Sequence, residues 1–405
     1  MKKIIFTVIL TIHIFTVFSQ KNENINFDVR HVTNQLNIDG HQMFYALPKN
    51  IIQIKIEVTK TIQYEGPYST YAPKYLNISE GIIPMDNEFY TISNIKCKRI
   101  SIPDTSNFYC ITTNRNFLPI IQLNSDGVIL GYNTDTDLNN YKFNNYLYTD
   151  FPEKSDEFYF TDLGVKPFLR KTQKTFYKTI KTDSSIQKIP VKKQGLSPTS
   201  VNENAAEAAA FIRKLRKRRM KLLFGIKDET FPVEAGALQT MVDELNKYEK
   251  SYLELFMGKT IEQKHTYYIY FEPDVNSGAE QKVVGWFSER NGFTFSKKDS
   301  RKRDIKPLIV DAYSLDAIPA AKIQVMNNSS KTPIPIKYGL YYRIPGRVVL
   351  SIKYLNKTLL KQAFEIAQKG QIVPLPVEYL NNPEYSIEFY PETGALKRIN
   401  KLSQK

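Results

Sequence analysis

One alternating run early in the chain does most to limit its fold. Between residues 51 and 62, Ile52, Ile54, Ile56 and Val58 alternate with Gln53, Lys55, Glu57 and Thr59. Apolar side chains at every second position put one face of an extended strand on a core and leave the other wet, a period that an α-helix cannot use. One strand cannot bury its own face, so the chain must supply sheet partners. Candidates follow near 88–95, 98–102, 108–112 and 127–133, and again at 266–271, 283–287, 338–343, 347–354 and 385–389. Residues 358–368 fit either helix or strand. Pro333, Pro335, Pro345, Pro374 and Pro376 limit strand length. Gly66-Pro67 ends the first run, and residues 68–76 read as a short helical or irregular segment.

Only residues 201–258 are strongly helical. Ser200 with Glu203 fits a capping box, in which each side chain satisfies the other's free amide. Ala208, Ile212, Leu215, Leu222 and Leu223 form an apolar stripe that stops at Gly225. After Pro232 a second stripe runs through Leu238, Met241, Val242, Leu245, Tyr248, Tyr252, Leu255 and Phe256 to Gly258, with Asp243 and Lys247 spaced as an i,i+4 pair. The expected fold is α+β: β-rich parts at 20–150 and 259–405, packed like a sandwich, flanking one central αα-hairpin. Between them, residues 151–200 read as a basic linker or insertion, because 166–193 hold nine basic residues and one acid. A length of 405 residues allows two or three such units.

The first residues, MKKIIFTVILTIHIFTVFSQ, have the form of a secretory signal peptide at 1–19. Lys2 and Lys3 precede an apolar stretch too short to span a bilayer. The expectation is an exported protein, periplasmic or associated with the outer membrane, with no transmembrane segment once the leader is removed. Export makes the two cysteines candidates for a disulfide. Cys97 and Cys110 lie in strand-like sequence on either side of Pro103-Asp104-Thr105-Ser106-Asn107, a good turn. A hairpin there would bring the sulfurs together; the alternative is two separate buried thiols.

Several chemistries have no motif here. Gly258-Lys259-Thr260 ends like a phosphate-binding loop, but Leu253 stands where its first glycine belongs. No nucleophile elbow and no paired zinc ligands occur, and no motif implies a cofactor. Asp135-Thr136-Asp137-Leu138-Asn139 opens like a calcium loop but lacks its glycine and its final glutamate. His31, His41 and His265 read as surface or capping histidines. Tyr267-Tyr268-Ile269-Tyr270 and Tyr341-Tyr342 read first as sheet-face aromatics and second as the lining of a sugar or peptide site.

The charge is more informative. Lys and Arg outnumber Asp and Glu by 56 to 41, and seven cations fall within residues 213–221. Seven positions cannot share one helix face, and Arg219 falls in the apolar stripe. The bland reading is neutralisation by Glu234, Asp243, Glu244, Glu249 and Glu254 of the next helix. The functional reading is an interaction surface made by Arg213, Lys214, Arg216, Lys217, Arg218 and Lys221, facing anionic envelope components or other envelope proteins. Export and the lack of any nucleic-acid motif argue against nucleic acid.

Six runs, in order, resemble a known family: EGPYSTYAPKYL at 65–76, AAEAAAFIRKLRKRR at 205–219, YLELFMGKT at 252–260, YYRIPG at 341–346, Ala367-Gln368, and PETGAL at 391–396. Together they resemble the Bacteroidetes exported proteins grouped as domain-of-unknown-function family 4831, over roughly 45–135 and 203–398. The resemblance implies export in a Gram-negative envelope and assigns no activity or catalytic residue, and the segment 150–200 looks like a long insertion relative to it. The expected role is a non-catalytic binding or assembly component of the envelope. The alternatives are a periplasmic hydrolase acting on a glycan or peptide, and a small-ligand or glycan-binding module.

Overall fold

A computed structural model describes residues 28–32, 42–113, 119–134, 169–182, 185–224, 235–274, 279–296, 304–316 and 338–401. The leader at 1–19, His41 and the calcium-like run at 135–139 lie outside them. Four antiparallel strands form the first sheet, in the order β1 (Asp28–His31), β3 (Asn87–Thr112), β2 (Gln42–Tyr64), β8 (Lys259–Phe271). The second sheet runs β10 (Gly292–Thr294), β9 (Ala279–Ser288), β11 (Lys306–Ser314), β12 (Tyr338–Tyr354), β13 (Lys357–Pro376). A third, smaller sheet runs β15 (Leu396–Lys401), β14 (Tyr385–Phe389), β5 (Ile129–Tyr132), β4 (Ile121–Leu123). The first two sheets pack face to face: Ile52, Ile54, Ile56 and Val58 of β2 meet Leu308, Val310, Leu350 and Ile352 in one core. The fold is therefore the expected β-rich α+β arrangement with a sandwich at its centre.

The β-rich ends of the chain are not separate units. β8 hydrogen-bonds to β2, and β14 to β5, so each of these two sheets mixes strands from both ends. Sequence periodicity locates a strand but says nothing of its partner, and here the pairings are non-local. The polar face of β2 is also drier than its alternation suggests. Gln53, Thr59 and Thr61 are buried because β2 is a central strand whose neighbours drape over it; Gln53 Nε2 donates to Tyr270 Oη at 2.9 Å.

Strands read as separate pieces are continuous. β3 joins three expected segments, and β12 joins two across Pro345. Continuity comes through bulges. Residues 104–107 of β3 stand opposite Leu47 alone, and residues 367–370 of β13 stand opposite Pro345 alone. The four long strands β2, β3, β12 and β13 thus bend at one level. On one side lies the sandwich core; on the other, Tyr45, Leu47, Tyr109, Ile111, Leu340 and Leu375 pack on Ile129, Tyr132, Ile387 and Phe389 of the small sheet.

This waist is held by buried polar groups. Ala367 N donates to Asn50 Oδ1 and Asn50 Nδ2 donates to Glu392 O, each at 2.7 Å. Gln368 answers the backbone of Asn50, accepting from its N–H at 2.8 Å and donating to its carbonyl at 2.6 Å. Arg343 donates through Nη2 to Asp104 Oδ2, both side chains being buried, and its own N–H donates to Gly394 O at 2.9 Å. Asp104 also accepts from Ser106 N at 3.0 Å and Asn107 Nδ2 at 2.7 Å, which forms the turn inside the bulge. Gly394 has φ +67°, and a Cβ there would come within 2.6 Å of Pro48 Cδ.

The cysteines are correspondingly apart. The expected turn at 103–107 is a bulge within one strand, and it does not reverse the chain. Cys97 pairs with Ile54 and Cys110 with Phe44, ten residues apart along β2, on the order of 30 Å. Both are free thiols, so the candidate Cys97–Cys110 disulfide is not formed. Burial raises both thiol pKa values, that of Cys97 to about 12. Folded protein is therefore expected to react with a thiol reagent at neutral pH far more slowly than denatured protein, which should titrate two thiols without reduction. A titration of zero thiols in denaturant would contradict the register.

The basic segment is more regular than a linker. β6 (Leu169–Thr182) and β7 (Ser185–Pro198) pair throughout as a two-stranded ribbon that joins no other sheet among the described residues. The helices are α1 (Ala72–Leu76), in the connection from β2 to β3, and, after the ribbon, α2 (Val201–Phe224) and α3 (Ala235–Met257). The capping box forms as expected, with Ser200 N donating to Glu203 Oε2 at 2.9 Å and Glu203 N to Ser200 Oγ at 3.3 Å. The expected Asp243–Lys247 pair does not; Lys247 meets Glu244 at 3.4 Å.

Candidate interaction surface on the helical arm

The foot of the helical hairpin is built from small and aromatic residues. Ala205, Ala208, Ala209 and Ile212 of α2 and Leu255 and Phe256 of α3 bury against Tyr68 and Ala72. Gly66 is needed there, since a Cβ would approach Leu255 O to 2.5 Å. Tyr68 N donates to Leu255 O at 2.8 Å, and Lys74 Nζ and Tyr75 Oη both donate to Asn202 Oδ1. Gly258, at φ +87°, ends α3 and passes directly into β8, so the helix is fixed to the sandwich.

Beyond Leu215 the burial stops. No residue of α2 after Leu215 is buried, and Met220, Leu223 and Phe224 are 53%, 55% and 71% exposed. On α3, Met241 and Tyr248 are exposed as well. The outer halves of the two helices form an arm, and Leu223 of the expected stripe is exposed on it.

The cations of the arm divide into two sets. Arg216 Nε donates to Glu249 Oε1 at 2.6 Å; Arg219 donates to Glu249 Oε2 and, at 2.7 Å, to Asn246 Oδ1. Glu249 is itself buried, so one acid of α3 holds two arginines across the hairpin. Arg213 donates to Tyr75 O at 3.3 Å. Arg213 and Arg216 thus leave the candidate surface: they fasten the arm to itself and to its foot. Lys214, Lys217, Arg218 and Lys221 make no ion pair with the described residues. Spaced at i, i+3, i+4 and i+7, these four lie on one face of the helix. From Ala208 to Phe224 the helix carries no acid.

The remaining candidates are placed elsewhere. Tyr267 is buried in the sandwich core, and Tyr341 stacks on Tyr109 at 4.7 Å in the second core. His31 Nε2 lies 2.9 Å from Ser106 O at the rim of the β3 bulge. His265 is half-buried beside Val58, and burial, helped by Lys60, lowers its pKa. No group of three or more His, Cys, Asp or Glu among the described residues could hold a metal ion, and no described helix is long and apolar enough to cross a membrane.

A family model described as "Domain of unknown function (DUF4831)" matches residues 41–160 and 166–397. The chain belongs to that family. Comparison with curated proteins and with solved structures finds no match. The second matched span, 166–397, includes the residues of β6 and β7. The runs that carried the DUF4831 resemblance fall on two packing devices. EGPYSTYAPKYL, the alanine run and YLELFMGKT build the foot of the arm; YYRIPG, Ala367-Gln368 and PETGAL meet at the waist. Sequence reading missed the waist, whose best signals were Arg343 within an apolar strand and Asp104 within a turn.

Proposed function

We propose that this DUF4831 protein is an exported cell-envelope component that binds or assembles through the basic face of its helical arm, without catalysing a reaction. One observation carries the reading: of the seven cations at 213–221, three have protein partners, and four share a helix face and make no ion pair among the described residues. A cation that served only stability would sit as Arg216 and Arg219 do. Four together in water attract anions over about a Debye length.

The signal-peptide-like form of residues 1–19 supports export. Affinity purification of the protein from its native envelope tests the reading. Partners are expected to co-purify at about 0.05 M salt and to leave at about 0.5 M, because screening shortens the reach of the field. A monomer that brings nothing with it at low salt would contradict the proposal.

A further inference from the structure

The arm carries a second property that charge alone does not explain. Met220 and Phe224 are i,i+4 neighbours, mostly exposed, and lie directly beside Lys217 and Lys221 on the surface of α2. Leu223 is exposed at the same end. A Met and a Phe left in water beside a cationic stripe are a standing loss of burial, of the kind that marks a contact surface. The pattern recurs on the ribbon that immediately precedes α2. β6 and β7 hold eight Lys and Arg and no acid, while Phe176, Tyr177, Ile189, Val191 and Leu196 are exposed among them. A two-stranded ribbon with both faces wet is marginal by itself. A second copy of this chain does not fit either element, since like cations would face one another.

We infer that the outer half of α2 docks on an anionic lipid surface, with Lys214, Lys217, Arg218 and Lys221 on phosphate groups and Met220 and Phe224 entering the boundary between headgroups and acyl chains. The inference rests on the anion-facing reading above and names its partner. A bilayer surface offers both requirements at once, fixed negative charge and an apolar layer a few ångströms below it. An acidic protein face would satisfy the cations, but would bury Met220 and Phe224 only if it also carried an apolar patch in register with them. The contact inferred is peripheral, made by the surface of α2; no described helix is long and apolar enough to cross a membrane.

Vesicle flotation tests this with the protein purified from cells expressing the whole chain, its N-terminus read by mass spectrometry. The probes are vesicles of phosphatidylcholine alone and of phosphatidylcholine with about one-third phosphatidylglycerol. Binding is expected to the anionic vesicles only. The variant K217E/K221E should lose about 30-fold or more in affinity, and M220S/F224S about tenfold, with unchanged circular dichroism. All four side chains lie on the surface of the arm, so neither variant opens a core. Wild-type protein that ignores anionic vesicles, or M220S/F224S that binds them as wild type does, would overturn the lipid docking. A heparin column separates the two levels. Retention that K217E/K221E abolishes, without vesicle binding, would sink the lipid inference and leave the anion-facing reading standing; neither retention nor vesicle binding would sink both.

Discussion

Replacing Asp104 with alanine is expected to destabilise the protein by about 3–5 kcal/mol, enough to unfold much of a marginally stable domain. The size follows from what is left behind. Arg343 is buried at the waist, where burial lowers its pKa and Asp104 opposes that shift. Its Nη2 donates to Asp104, and its Nη1 reaches Ala367 O only at 3.4 Å. Without the carboxylate, a guanidinium stays in the interior with one weak hydrogen bond, and the turn amide of Ser106 and the side chain of Asn107 lose their acceptor. The double variant D104A/R343M should recover most of the loss, since it removes the stranded charge together with its partner. Urea denaturation of the two variants checks this. A D104A protein within about 1 kcal/mol of wild type would mean that the pair does not hold the waist.

Asn50→Ala comes next in size, at about 2–5 kcal/mol. The side chain of Asn50 accepts from Ala367 N on β13 and donates to Glu392 O in the turn before β15, with both bonds at 2.7 Å and the residue fully buried. Alanine leaves both backbone groups unanswered in a space closed by the opposing bulge. Asn50→Asp, which keeps the shape, should not rescue stability, because its oxygen would face the Glu392 carbonyl and its charge would be buried. Urea midpoints of N50A and N50D, compared with wild type at equal slope, give the result; N50D as stable as wild type would contradict the hydrogen-bond assignment.

These residues also show where sequence reading stops. Period two in β2 marked the sandwich strand, because one face of it meets a core along its whole length. The capping box at Ser200 and the stop at Gly258 were legible because helix ends are local chemistry. Pairing was not legible: nothing near residue 54 says that its neighbour is residue 269 rather than another apolar strand. Nor was the waist. Pro-Asp-Thr-Ser-Asn has the composition of a reversing turn, and the same Asx geometry serves a bulge when the opposing strand continues, as β2 does through Pro48. The disulfide expectation failed with that turn. On the arm, the crowding of cations was visible in sequence, but their division was set by one acid, Glu249, thirty or more residues away. The exposure of Leu223 was hidden because an apolar residue in a striped helix reads as core, and the stripe outruns the surface it packs on.

The most direct test of the arm's role reverses only Lys214, Lys217, Arg218 and Lys221, the four cations of the run with no ion pair among the described residues, to glutamate and follows the protein through fractionation of the native envelope. Wild type should stay with the envelope at about 0.05 M salt and be released at about 0.5 M, while the variant, folded by circular dichroism, should be released at both. A variant that fractionates like wild type at low salt would show that the basic face of α2 is not what holds this protein in place.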